Sequence, residues 1–299
     1  MAIQAFGRVK AAVFVAADPI RKSIVEALES QGFRDVLEAT TVAGFTAILK
    51  DANLDFIITT TRLESQFTGG LIRDLRLGLF DSSPFPIVFA LLPHADEEHV
   101  RAVINSGVDD LLLLPLAADA LIKRIKLFTQ DRRPFVVTYD YIGPDRRQNT
   151  RPNENKALVL KVPNPVRSRV VGVDDEGIEH AINDAIVLVN RCKLKQNGLQ
   201  LLWLLARLAI DGEDGNPTDA ISVNFFMSNC RDICADIDQR AKGSAERAMR
   251  MKAMLVSETI DRIAASDDGA DKRQLMDLTR AVDDLVDYIS AYHGEQLKL

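Results

Sequence analysis

The chain has 299 residues, enough for about two domains at roughly 100–200 residues each. Its 47% hydrophobic content lets both halves bury a core, and its net charge of −6 argues against non-specific attraction to nucleic acid. Three cysteines, Cys192, Cys230 and Cys234, exclude a disulfide framework and point to a reducing compartment. No run of about 18 apolar residues occurs, so no transmembrane helix is expected. The first ten residues lack the apolar core of a signal peptide. The expectation is a soluble, cytoplasmic protein.

In chain order, short apolar runs fall at 11–17, 35–40, 56–60, 87–92 and 111–114. Segments with helical periodicity fill the gaps, at 19–31, 42–51, 69–77, 96–106 and 118–129. Five apolar runs separated by helices of about ten residues predict βα units and a parallel sheet. Such strands are buried on both faces, so they read as continuous apolar runs. Gly32, Gly78 and Gly107 stand where helices should stop. From 131 to 170 the pattern breaks, with five prolines and two short strand signals at 135–138 and 157–162. Between Lys123 and Arg169 the charge is +8, which leaves −14 on the rest. Long helical patterns follow, over 175–210, 219–239, 244–265 and 271–292, with Ser244 as the expected N-cap of the third. The last two carry apolar stripes at steps of three and four, as in a bundle or coiled coil. The expected domains are therefore 1–130 (α/β), a basic proline-containing linker over 131–172, and an antiparallel helical bundle over 173–299.

Several residues give the first domain a family likeness. Gly107-Val108-Asp109-Asp110 resembles a Gly-Ala-x-x turn before a last strand, and Leu114-Pro115 a Lys-Pro pair at its end. Asp96-Glu97-Glu98 opens the fourth helix, and Asp55-Phe56-Ile57-Ile58 leads into the third strand. Together with the strand spacing, these residues make 10–128 resemble the response-regulator receiver (CheY-like) family of two-component phosphorelay signalling. The resemblance implies a five-stranded, flavodoxin-like (βα)5 fold, with its site where strand carboxyl ends meet the following loops.

The resemblance also implies which residues that chemistry needs. They are two acids after the first strand for Mg²⁺, an acceptor Asp after the third, a Thr or Ser after the fourth and a Lys after the fifth. Here the acids align with Ala16 and Ala17, and a slip of one residue recovers only Asp18. The acceptor aligns with Thr60, the Thr/Ser with Leu91 and the Lys with Leu114. Without carboxylates no hard cation site forms. Without Mg²⁺ and Lys, charge on a transferring phosphoryl group is not stabilised. Thr60 is a neutral alcohol with no base beside it, a poor nucleophile. The domain reads as a pseudo-receiver, with no catalytic, cofactor-binding or metal-ligating residue.

Other features carry candidate chemistry. Tyr139, Tyr141, Ile142, Arg146 and Arg147 form a candidate interaction strap, with a rigid turn packed on its own domain as the other reading. Lys123, Arg124 and Lys126 form a basic helix face. His180 lacks the Lys-Gly that follows the histidine of phosphotransfer helices. Cys230 and Cys234 stand four apart without a further ligand. Trp203 reads as core, and Asp283, Asp284 and Asp287 as a solvated face.

Two readings of function follow. The first is a non-catalytic bacterial signalling adaptor, built on a phosphorylation-incompetent receiver, that acts through a protein partner or as a homo-oligomeric dimer. The alternative is an atypical response regulator with Ser/Thr-based or non-phosphate activation and a helical output, DNA-binding in one version. No cofactor or membrane attachment is expected, and nucleic acid is disfavoured because the basic stretch is dispersed and carries no binding motif.

Overall fold

The computed structural model describes residues 6–147, 159–213, 220–243, 246–266 and 271–294. The chain divides into two compact units, Met1–Val187 and Leu188–Leu299.

In the first unit, β1 (Lys10–Phe14), α1 (Asp18–Ser30), β2 (Asp35–Ala39), α2 (Val42–Asp51) and β3 (Phe56–Thr60) alternate in order. A hairpin of β4 (Arg62–Leu63) and β5 (Gln66–Phe67) follows, then α3 (Gly69–Leu77), β6 (Ile87–Leu92), α4 (Glu97–Asn105), β7 (Asp110–Leu113) and α5 (Ala118–Gln130). The five long strands pair in parallel in the order β2-β1-β3-β6-β7. That is the flavodoxin-like order expected from the sequence. Alternate side chains of the central strands feed two cores. Phe56, Ile58, Phe89 and Leu91 pack against α1 and α5. Ile57, Val88, Ala90 and Leu92 pack against α2, α3 and α4.

Local chemistry sets the helix ends. Thr41 Oγ1 accepts from the Gly44 N–H at 3.1 Å to cap α2, and Asp96 Oδ1 accepts from the His99 N–H at 2.8 Å to cap α4. Gly78 closes α3 in the left-handed region at φ 74°. Gly107 turns at φ 88°, and a Cβ there would meet Ile142 O at 2.8 Å. Only glycine fits both demands.

The described parts of the segment expected as a linker lie within the first unit. There β8 (Phe135–Val137) pairs antiparallel with β9 (Ile142–Pro144) and β10 (Val159–Leu160), and α6 (Pro165–Val170) follows. Sequence periodicity does not reveal β4, β5 or α6, because two to six residues are too few to show a period.

The second unit is helical, as expected for the C-terminal region. It takes the later turns of α7 (Asp175–Glu213), then α8 (Ala220–Arg240), α9 (Arg247–Ala264) and α10 (Lys272–His293). α7 and α8 are joined by Asn197 Nδ2 donating to Asp236 Oδ2 at 2.7 Å and Arg240 Nη1 donating to Asn190 Oδ1 at 2.9 Å. The stripe Met249, Ala253, Val256, Ile260 and Ile263 of α9 is buried, as are Leu278, Val282, Leu285 and Ile289 of α10. Asp271 and Gln274 form a capping box at the start of α10. The expected cap Ser244 lies outside the described residues. Trp203, expected as core, is 38% exposed under the Arg207 guanidinium. The buried face of α7 runs through Leu201 and Leu204, which turns Trp203 outward. No helix among the described residues is long and apolar enough to cross a membrane.

Candidate functional site

The carboxyl ends of β1, β3, β6 and β7 meet where the fold places ligands. After β1 the chain turns through Val15 to Ala16 and Ala17, both exposed. Asp18 opens α1 and is engaged by Lys22 at 2.7 Å and by Arg21. These two cations hold its carboxyl below the usual range, Lys22 first. Arg21 does more than pair. Its Nη1 donates to Val15 O at 3.1 Å and its Nε to Glu38 Oε2 at 2.9 Å. A guanidinium therefore closes the end of β1.

Thr60 ends β3 and is half-buried. Its Oγ1 donates to Arg62 O at 2.9 Å and lies 3.4 Å from Phe14 O. Thr68 Oγ1 donates to Thr60 O at 2.7 Å. The Thr60 hydroxyl is thus tied to backbone. Leu91 pairs with Thr60 across the sheet and is fully buried in the α1/α5 core. Leu114 packs against the same core, and its peptide bond to Pro115 is cis. The structure brings Thr60, Leu91 and Leu114 to one sheet end, with Ala16, Ala17 and Asp18 on the loop after the neighbouring β1.

A depression of about 630 Å³ opens beside Thr60 and Leu114. Its walls include Thr61, Phe67, Pro93, His94 and His99. His99 Nε2 lies 2.8 Å from Thr61 Oγ1, and the His94 and His99 rings stack at 6.5 Å. Sequence reasoning missed these histidines. The available signal was two histidines five residues apart, bracketing the cap Asp96 just after the fourth strand. Among the described residues, no group of three or more His, Cys, Asp or Glu side chains could hold a metal ion.

The opposite end of the sheet is rich in charge. Asp109 is 1% exposed, and its Oδ2 accepts from Arg76 Nη2 at 2.8 Å and the Val88 N–H at 2.9 Å. Its Oδ1 accepts from Arg132 Nε at 2.9 Å. Arg132 also donates to Phe85 O at 2.7 Å and Pro163 O at 2.6 Å. Both guanidinium groups flank the Phe135 ring, at 5.1 and 4.8 Å. Burial brings Arg76 down to about 10. Asp55, just before β3, accepts from the Lys10 N–H at 2.9 Å and from Arg169 Nε of α6 at 3.1 Å. Burial pushes the carboxyls of Asp55 and Asp110 up.

The strap residues join this end. Ile142 is buried in β9, and Tyr141 OH donates to Pro144 O at 3.1 Å. Arg146 Nη2 donates to Val108 O and Asp109 O, both at 2.9 Å, while Arg147 pairs with Asp145 at 2.9 Å. Tyr139 is half-buried on the turn between β8 and β9.

The remaining candidates are dispersed. His180 is exposed, 3.5 Å from Asp184. Asp283, Asp284 and Asp287 are exposed on α10, and Lys123, Arg124 and Lys126 on α5, where Arg124 pairs with Asp110 at 2.8 Å. Burial pushes the thiol of Cys230 up and that of Cys234 to about 12, so both stay protonated and unreactive near neutral pH.

No family model and no curated protein matches the chain. Solved structures of response-regulator receiver domains match its N-terminal two-fifths. A response regulator from Thermotoga maritima is 22% identical, with 41% of this chain and 98% of that one covered and a TM-score of 0.36. The chemotaxis response regulator CheY4 of Vibrio cholerae is 18% identical over 40% and 97%, with a TM-score of 0.36. The response regulator DrrB of Thermotoga maritima, an OmpR/PhoB homolog, is 21% identical over 42% and 55%, with a TM-score of 0.37.

Proposed function

We propose that the chain is a non-enzymatic signalling adaptor, a receiver scaffold that does not accept phosphate and that works through protein–protein contact in the cytoplasm. The observation that carries this reading is the composition of the strand ends. Ala16, Ala17, Thr60, Leu91 and Leu114 offer one hydroxyl, no carboxylate and no amine. The hydroxyl is directed at main-chain carbonyls, and among the described residues no side-chain base is hydrogen-bonded to it. The nearby Asp18 is neutralised by its own helix, and Arg21 is held by main-chain oxygens. A divalent cation needs several hard oxygen ligands, and these ends present none as a set.

The test is incubation of the full chain with Mg²⁺ and acetyl phosphate, or with beryllofluoride. The expected result is no added phosphoryl mass and no shift in melting temperature. A gain of one phosphoryl group that is lost in Thr60→Ala would overturn the reading in favour of an atypical, threonine-based regulator.

A further inference from the structure

The strongest unassigned feature is the outer face of α9. Its inner face, through Met249, Ala253, Val256, Ile260 and Ile263, is buried. The outer face runs through Arg247, Met251, Met254, Glu258 and Arg262, at steps of three and four, with Leu255 beside Met254, and every one of these side chains is exposed. Met251, Met254 and Leu255 are 61%, 58% and 48% exposed, an apolar cluster centred on a surface helix. An exposed cluster of this kind, flanked by charge, marks a contact surface.

The charges say what covers it. On the flanks of α9, Arg250 pairs with Asp238 at 2.9 Å and Asp261 with Arg231 at 2.7 Å, both within the unit. On the outer stripe, Arg247 and Glu258 have no ion-pair partner among the described residues. One lies on each side of the apolar cluster, eleven residues apart, which is about 16.5 Å along the helix.

We infer that this face pairs with the same face of a second copy, antiparallel, about a two-fold axis that crosses the helix at the level of the Lys252–Ala253 peptide. The symmetry then sets Arg247 of each copy against Glu258 of the other, and Met251 against Met254. Leu255 lies opposite Arg250, whose aliphatic stem covers it while its guanidinium stays on Asp238. Parallel pairing would put Arg247 on Arg247 and Glu258 on Glu258, so charge selects the antiparallel form. Methionine side chains adapt to such a contact without a preformed socket. One helix face is smaller than the roughly 1,200–2,000 Å² of a standard interface, so the dimer forms weakly and depends on concentration. The inference rests on the adaptor reading above and names the surface through which it self-associates.

The experiment is sedimentation of the full chain from low to high micromolar concentration, with circular dichroism to verify helicity. The wild type should pass from monomer to dimer. Met254→Glu should weaken association at least tenfold with unchanged helicity. Glu258→Arg should weaken it as well, and Arg247→Glu combined with Glu258→Arg should restore it, because the swap preserves both symmetric pairs. A chain that stays monomeric throughout overturns the inference and leaves the adaptor reading to the acetyl phosphate test. A dimer indifferent to Met254→Glu, or a charge swap that fails to restore association, overturns the α9 surface.

Discussion

The two ends of the parallel sheet are opposites. At the carboxyl ends, where the fold presents its ligand site, the chain places Ala16, Ala17, Thr60, Leu91 and Leu114. At the amino ends it buries Asp55 and Asp109 with Arg76, Arg132 and Arg169, side chains all under 10% exposed. Buried charge is therefore concentrated where it fastens β8, β9 and α6 to the sheet, away from the end that would do chemistry. A buried ion pair is expensive to desolvate and adds little net stability, but breaking one partner is severe. The amino end thus acts as a clasp that tolerates no single loss.

The largest effect should come from breaking the clasp. Asp109→Asn leaves Arg76 and Arg132 buried without a carboxylate, and urea denaturation should show a loss of about 3–5 kcal/mol. A loss below about 1 kcal/mol would mean that the carbonyls of Gly107, Pro84 and Pro86 satisfy Arg76 unaided.

At the other end, Thr60→Ala removes a hydroxyl that contacts only backbone. The expected cost is about 0.5–1.5 kcal/mol in the same assay, with no change in binding of Mg²⁺ followed by calorimetry. A Mg²⁺ affinity lost with the hydroxyl would erase the contrast between the two ends.

The smallest effect concerns the proton of Asp110, beside the clasp. Burial raises the folded pKa of Asp110 above its unfolded value. Its ionised form therefore opposes folding above the folded pKa. That opposition is relieved as pH falls through the folded value and is gone below the unfolded one. Asp110→Asn removes the titration. Stability measured at pH 7 and pH 4 should favour the variant, relative to wild type, more at pH 7 than at pH 4. The reverse order would show that the Arg124 pair outweighs desolvation.

What the sequence alone decided is the alternation of elements. Strands buried on both faces must be apolar throughout, and helices packed on one face must be apolar every three or four residues. Those periods place β3, α2, α3 and β6 at their observed limits. The residues at the strand ends are legible for the same reason, since residue identity at a strand end is a local property once the strands are found. Tertiary structure decided the rest. Arg169 and Asp55 are 114 residues apart, and Arg76 and Asp109 are 33 apart, so no local pattern ties them. The strap residues Ile142 and Arg146 read as either a docking element or a packed turn until the fold brings Gly107 and Asp109 beneath them. His94 and His99 become neighbours only when the α4 cap folds the chain back over Thr61. Charges and short strands of this kind carry no period. Their partners are fixed by where the sheet and its helices leave buried groups to satisfy.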